Sequence, residues 1–198
     1  IQPEVARADW RLKIHGLVEN PVTLNWEQFM ALEQFADTSD FHCVTTWSQY
    51  DMEWRGVSFF MLTELVKPKD EVTHVFYKGY DGYSTNTTFD AVMDDDALIA
   101  HTWNGAPVPV EHGGPARVIV PKLYAWKGAK WVSEIIFLDQ RHPRLLGSAR
   151  LLQHRRPVDR RPVCVMSCPP RVLGTHQHHT RHCNNHGTGG EAQEDFVN

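Results

Sequence analysis

The sequence predicts an α+β domain, mainly β, with two or three short helices inserted among short strands. Alternating apolar and polar side chains recur in short runs along the first 140 residues, which is the period of a strand with one face buried. Glycine, proline and Asn-Gly breaks separate those runs. Helical spacing is brief, and strands and helices do not alternate as a doubly wound fold requires. No internal repeat is visible.

Residues 10–18 alternate and read as the first strand; Glu19-Asn20-Pro21 breaks it, and Val22-Thr23-Leu24 resumes as the second. Asn25 is placed to cap a helix over 26–32, with Trp26, Phe29, Met30 and Leu32 on one face. A short strand then ends at Cys43 and Val44 and leads into a loop. Trp54-Arg55-Gly56-Val57 reads as a turn into a helix capped by Ser58, with Pro68 just past its end. Strands over 72–78 and 84–89 pair about the turn Gly79-Tyr80-Asp81-Gly82-Tyr83. Asp90 is expected to cap a short helix ending near Asp94-Asp95-Asp96, and 97–103 follows as a strand. Asn104-Gly105 is the strongest hairpin signal in the chain. Glu111-His112-Gly113-Gly114-Pro115 is a glycine-rich loop, 116–121 a buried strand and 131–138 the last strand.

A chain of 198 residues is long enough for one sizeable domain with a real core. Its composition breaks near Gln140. Up to that point 11 Lys and Arg face 20 Asp and Glu; from Arg141 onward there are 9 Arg, no Lys and 4 acids. All seven Trp and all five Tyr precede residue 141, whereas three of the four Cys and seven of the twelve His follow it. One domain rarely shifts so sharply, so 1–140 and 141–198 are read as different material. No apolar run approaches the roughly 18–20 residues that span a bilayer, so no membrane span is expected. No nucleic-acid partner is expected of so acidic a domain. The opening at Ile1, with a strand almost at once, reads as an N-terminally truncated fragment whose signal, if any, is not observable. A single cysteine before residue 141 offers no disulfide framework, which favours a cytoplasmic over a periplasmic setting.

Three groups of residues can carry chemistry. Cys43 lies in Asp40-Phe41-His42-Cys43-Val44-Thr45-Thr46-Trp47-Ser48, among polar and aromatic side chains that suit a cavity wall. Such a thiol can be a nucleophile, a metal ligand or an inert buried group, and free cysteines are most often the last. The second group is His112-Gly113-Gly114-Pro115-Ala116-Arg117, and the third runs from Lys122 through Lys127 to Lys130 and Trp131. Together these two place four cations beside glycine-rich backbone. That suits a phosphate or pyrophosphate, although a solvated basic face has the same composition.

These motifs, in this order and spacing, resemble the sulfite oxidase family's molybdopterin-binding domain. They are Asp40 to Thr45, Glu111 to Pro121 and Gly128-Ala129-Lys130-Trp131, and the likeness covers residues 9–138. The resemblance implies a mixed, mainly-β fold of that type and a molybdenum–molybdopterin cofactor. It implies Cys43 as the protein thiolate on molybdenum, and a soft thiolate suits such a metal. His42 and Thr45 flank it in the same motif. His112 and Arg117 correspond to the side chains that hold the pterin and its phosphate, with Lys122 in the same basic stretch. Gly128, Ala129 and Lys130 correspond to a backbone-plus-lysine clamp, and Tyr83, Thr85 and Asn86 to a further pterin contact. Trp47, Trp126 and His101 would line a substrate funnel, and Arg55 is a loose candidate for an anion pocket. The implied activity is two-electron oxygen-atom transfer on a small molecule such as sulfite or a sulfoxide, with the cofactor carrying the chemistry. No haem or iron–sulfur cysteine pattern precedes residue 141, so a separate electron donor or acceptor protein is expected. The alternative from another class is a cofactor-free binding or structural module that keeps the fold, or an inactive fragment of it.

The family continues after its last strand with a segment resembling Asp-Thr-Pro-Gly-Phe-Trp-Glu. Residues 141–147, Arg-His-Pro-Arg-Leu-Leu-Gly, yield that segment when back-translated and read one nucleotide later. Residues 151–159 can likewise give Tyr-Ser-Asn-Thr-Ala-Asp-Pro-Trp-Thr. The tail therefore reads as a slipped frame, disordered in a composition with few large apolar residues. A zinc site from Cys164, Cys168, His176, His178, His179, His182 and Cys183 is the competing reading, but its spacing fits no standard pattern. Residues 141–198 are expected to lack a cooperative fold of their own. Amides there that resist hydrogen exchange would contradict this.

Overall fold

The computed structural model describes residues 2–139, which build two five-stranded sheets. The tail reading and its zinc alternative fall outside the described residues. In chain order come β1 (Arg11–Gly16), β2 (Val22–Asn25), α1 (Trp26–Ala31), β3 (Phe35–His42) and β4 (Ser48–Ser58). Then follow α2 (Phe59–Val66), β5 (His74–Gly79), β6 (Ser84–Thr88), α3 (Phe89–Val92) and β7 (Leu98–Trp103). The last are β8 (Ala106–Pro107), β9 (Arg117–Ile119) and β10 (Val132–Leu138), with single 3-10 turns at Val110–His112 and Ala125–Lys127.

The first sheet runs β2-β1-β10-β5-β6. Its one parallel pair, β1 with β10, joins the first described strand to the last. Leu12 and Ile14 of β1, Val75 and Tyr77 of β5, and Ile135 and Phe137 of β10 are fully buried. Each is two residues from the next along its strand, so all point to one face and into the main core. Trp10 enters that core as well and donates its indole N–H to the Val132 carbonyl at 3.1 Å.

The second sheet runs β3-β4-β7-β8, with β9 paired to β7. Its two faces do different work. Val57, Ile99 and Val118 face the main core, whereas Met52, Trp54, Leu98, Ala100 and Ile119 form a smaller cluster with Phe41 and Trp103. The mainly-β, α+β expectation holds. Asn104 (φ 48°) and Gly105 (φ 76°) form the expected two-residue hairpin between β7 and β8. Asn25 and Gln28 make a reciprocal capping box on α1, and Ser58 accepts from the Met61 N–H at 3.2 Å to start α2.

Three local expectations are corrected. Residues 54–57 are not a turn but the end of an 11-residue strand, in which buried Met52 and Trp54 alternate with exposed Glu53 and Arg55. Gly56 serves a close approach there, because a β-bulge brings it against Ile99. Asp90 lies in the first turn of α3, and Thr88 holds the cap position without a side-chain hydrogen bond. Met30 is exposed, and Phe29 is the buried residue of α1. Among the described residues no helix is long and apolar enough to cross a membrane.

A Cβ at Gly56 would overlap the Ile99 carbonyl, and backbone cannot yield as a flexible side chain does. Gly56→Ala is expected to destabilise the domain by roughly 3 kcal/mol or more, read by denaturant unfolding. An unchanged midpoint would contradict the bulge packing.

Candidate cofactor site

The β3–β4 hairpin presents Cys43. His42 pairs with Ser48 as the last rung of the ladder, so residues 43–47 are the hairpin loop. The Cys43 N–H donates to the Trp47 carbonyl at 2.9 Å, and the Thr46 N–H to the Cys43 carbonyl at 3.1 Å. Thr46 takes φ 75° to close this ring. Below it, His42 Nδ1 and Ser48 Oγ meet at 2.8 Å, so His42 clasps the two strands. Cys43 Sγ is half-buried and lies 3.0 Å from Thr45 Oγ1. No group of three or more His, Cys, Asp or Glu side chains is arranged for a metal ion among the described residues.

Arg117 lies beneath that hairpin. On β9 it shares a face with Ile119, pairs with Ala100 of β7, and is only 4% exposed. Its guanidinium is stacked 5.2 Å from the Phe41 ring and 5.8 Å from the Trp54 ring. One terminal nitrogen donates to the His112 carbonyl at 2.8 Å, while Nε finds no acceptor. Among the described residues no carboxylate pairs with it. Burial alone pushes its pKa down to about 10, so it remains a buried cation at neutral pH.

The glycine-rich loop links this group to the next. His112 ends a 3-10 turn, its ring edge-on to Trp103 at 5.1 Å. Gly113 follows at φ 107°, and a Cβ there would sit 2.8 Å from Lys130 Cβ. Lys130 donates to the Glu111 carbonyl at 2.8 Å. Burial and the neighbouring Arg117 charge lower its pKa, with Asp81 and Glu111 opposing.

Lys127 is buried and donates to the Asn86 carbonyl at 2.7 Å, 4.6 Å from the Trp126 ring. Burial pushes its pKa down to about 8. Tyr83 donates its hydroxyl to the Trp126 carbonyl at 2.6 Å, and Thr85 and Asn86 are buried on β6. Residues expected from two distant motifs, 83–86 and 128–130, are thus joined through the turn that carries Lys127.

Other expected residues take different places. Gly128 and Ala129 serve packing: a Cβ at Gly128 would overlap the Val118 carbonyl, and Ala129 accepts from the Val118 N–H at 2.9 Å. They hold Lys130 in position from β9. Lys122 is exposed and ion-paired with Asp94 at 2.7 Å, with Asp95 and Asp96 as its further charged neighbours. Trp47 stands exposed beside Phe41 at the hairpin tip, and Trp126 lies under Lys127. His101 does not join them. The bulge in β7 turns it towards Trp26 and Phe29 of α1, hydrogen-bonded to Gln34 and Thr102. With Arg55, Glu53 and Met30 it lines a cavity of about 610 Å³, which Trp54 also borders. Sequence reasoning missed Phe41, Trp54 and Trp103 as partners of the cationic group, and gave Lys127 only a share in a basic cluster. The Trp-Lys-Gly run was the available signal for Lys127; nothing local marks the aromatic three.

Arg117, Lys127 and Lys130 are cations drawn partly or wholly out of water, held by carbonyls instead of acids. A buried charge without a counter-ion is destabilising, so Arg117 and the neighbouring Lys130 suit an anionic group such as the phosphate of a pterin cofactor. The family model described as the oxidoreductase molybdopterin binding domain matches residues 1–146. The chain belongs to that family. Molybdopterin is its cofactor. The chain is 37% identical over 134 residues to an uncharacterized oxidoreductase, YuiH, of Bacillus subtilis (strain 168), with 68% of each chain covered. It is 28% identical over 152 residues to the protein-methionine-sulfoxide reductase catalytic subunit MsrP of Gluconobacter oxydans (strain 621H), covering 68% of this chain and 48% of that one. Among solved structures, the sulfane dehydrogenase SoxCD of Paracoccus pantotrophus matches with a TM-score of 0.65 at 26% identity, over 70% of this chain and 40% of that one. The chain thus spans less than half the length of these last two relatives.

The depressed Lys127 pKa sets a sign. Between about 8 and the unfolded value near 10.4 the unfolded chain binds the extra proton, so stability of the cofactor-free chain rises with pH across that window. Denaturant unfolding at pH 7.5 and pH 10 should show a smaller rise in Lys127→Met than in the parent. Equal rises would remove Lys127 as the source.

Proposed function

We propose that this chain is a molybdenum-cofactor oxidoreductase that performs two-electron oxygen-atom transfer on a small substrate, with a sulfoxide or sulfite as the leading classes. The observation that carries the reading is the buried, acid-free guanidinium of Arg117 set against Phe41, on the hairpin that presents Cys43. When bound, the cofactor supplies an oxo-transferring metal centre.

The chain's own residues bind and orient. Cys43 offers a soft thiolate, and the Thr45 hydroxyl at 3.0 Å can donate to that sulfur once it is deprotonated. The closed loop and the His42–Ser48 clasp fix the direction of Sγ. Arg117 and the neighbouring Lys130 offer cationic donors to a phosphate. Phe41 and Trp54 shield the guanidinium from water, which strengthens its attraction for an anion. Nothing in these residues selects between sulfoxide and sulfite. MsrP, as its name says, is a protein-methionine-sulfoxide reductase, and that kinship supports the first class. Electrons would pass to or from a separate protein.

Metal analysis of the full chain, expressed with molybdate, is expected to find about one molybdenum per chain. Cys43→Ser should abolish turnover of sulfoxide or sulfite with the circular dichroism spectrum unchanged. Absence of molybdenum would favour a cofactor-free module, and activity surviving growth on tungstate would favour an ordinary thiol enzyme.

A further inference from the structure

Two donors on one face of the second sheet are buried with no acceptor. Arg117 Nε and Trp103 Nε1 both lie out of solvent, and no described residue accepts from either. Their strand partners offer nothing: Arg117 pairs with Ala100, and Trp103 with Trp54 and Ala106. Trp54 Nε1 is also unpartnered, but it faces a carboxylate across the β3–β4 ladder, because Asp37 is its cross-strand neighbour and Asp37 Oδ2 is likewise unpaired.

The two donors share two neighbours, the Trp54 ring and His112. Trp103 stacks on Trp54 with centroids 5.9 Å apart and planes at 20°, and Arg117 lies 5.8 Å from that same Trp54 ring. On its other side Trp103 meets the His112 ring at 5.1 Å, and the His112 carbonyl holds the Arg117 guanidinium at 2.8 Å. Buried N–H groups without an acceptor are rare in folded proteins. Two in one patch, one of them on a buried cation, call for an anion rich in acceptor oxygens. A cationic or purely apolar ligand would leave both unsatisfied.

We propose that Trp103 is a binding residue of the cofactor site, its indole N–H donating to the same phosphate group that Arg117 Nε holds. Trp54 is the platform that fixes the Trp103 ring. This rests on the reading of Arg117 as the phosphate-holding residue. The indole adds a neutral donor, so it contributes direction to the grip without a further buried charge to compensate. It also puts the Asn104-Gly105 hairpin to use, since Trp103 is the last residue before that turn.

The test uses inorganic pyrophosphate titrated into the cofactor-free full chain, read by calorimetry. Trp103→Phe keeps an aromatic ring, smaller than the indole, and removes the donor. Losing one hydrogen bond to an anion should weaken binding about tenfold, with the thermal midpoint of the ligand-free chain unchanged. Should that variant fold poorly, the Trp103 indole N–H resonance of the parent chain gives a second reading, and it should shift on addition of pyrophosphate. Equal binding by parent and variant, no binding by the parent, or a stationary resonance would overturn the assignment. No cofactor enters this experiment, so its failure is separable from that of the functional reading, which is decided by molybdenum content.

Discussion

A cation buried without an acid organises this domain. Arg117 sits on β9, which pairs with β7 at the margin of the second sheet, out of water and against both the Phe41 and Trp54 rings, with a backbone carbonyl as its hydrogen-bond acceptor. Burying a guanidinium this way is unfavourable unless something else recovers the lost hydration. The aromatic faces recover part of it through cation–π attraction. The remainder is a standing demand for an anion, and the neighbouring loops are arranged around that demand. Phe41 ties the guanidinium to the hairpin that carries Cys43, His112 ties it to the glycine-rich loop, and Gly113 lets Lys130 close in from β10's leading segment.

Strand alternation then separates two environments on one sheet. Trp54 is buried in the cluster beside Arg117, and Arg55, one residue on, is exposed and lines the cavity beside α1, which Trp54 borders as well. The β7 bulge extends the separation by turning His101 towards Trp26 and Phe29, where burial and the Arg55 and Arg7 charges keep its pKa below the ordinary value. Arg55 and His101 were both expected to serve the Cys43 site, yet the strand pleat and the β7 bulge turn them to the cavity beside α1. A one-residue change of register would exchange the two sets.

Much of the architecture was legible because it rests on local rules. The Asn25 capping box, the Ser58 cap, the Asn104-Gly105 hairpin and the alternation in β1 and β10 each follow from neighbours in sequence. The long β4 strand was not read, since Gly56 looks like a turn residue until its contact with Ile99 is known. The family resemblance named candidate cofactor contacts at 83–86, 112–117 and 128–130, and the structure ties 83–86 to 126–127 and 130 to 111 through short hydrogen bonds. Lys122 was grouped with them on charge, but Asp94 claims it.

By itself the sequence determined the class of fold, the family and the side chains with the right chemistry: one thiol, one arginine and a run of lysines beside glycines. Only tertiary structure decided which of those cations lose their water and what they lose it to. Burial depends on which strands cross above a residue, and no local pattern reports that. Arg117 and Lys122 are alike as letters, both basic and five positions apart. One is buried against two aromatic rings with a nitrogen unanswered, and the other lies in solvent against an aspartate.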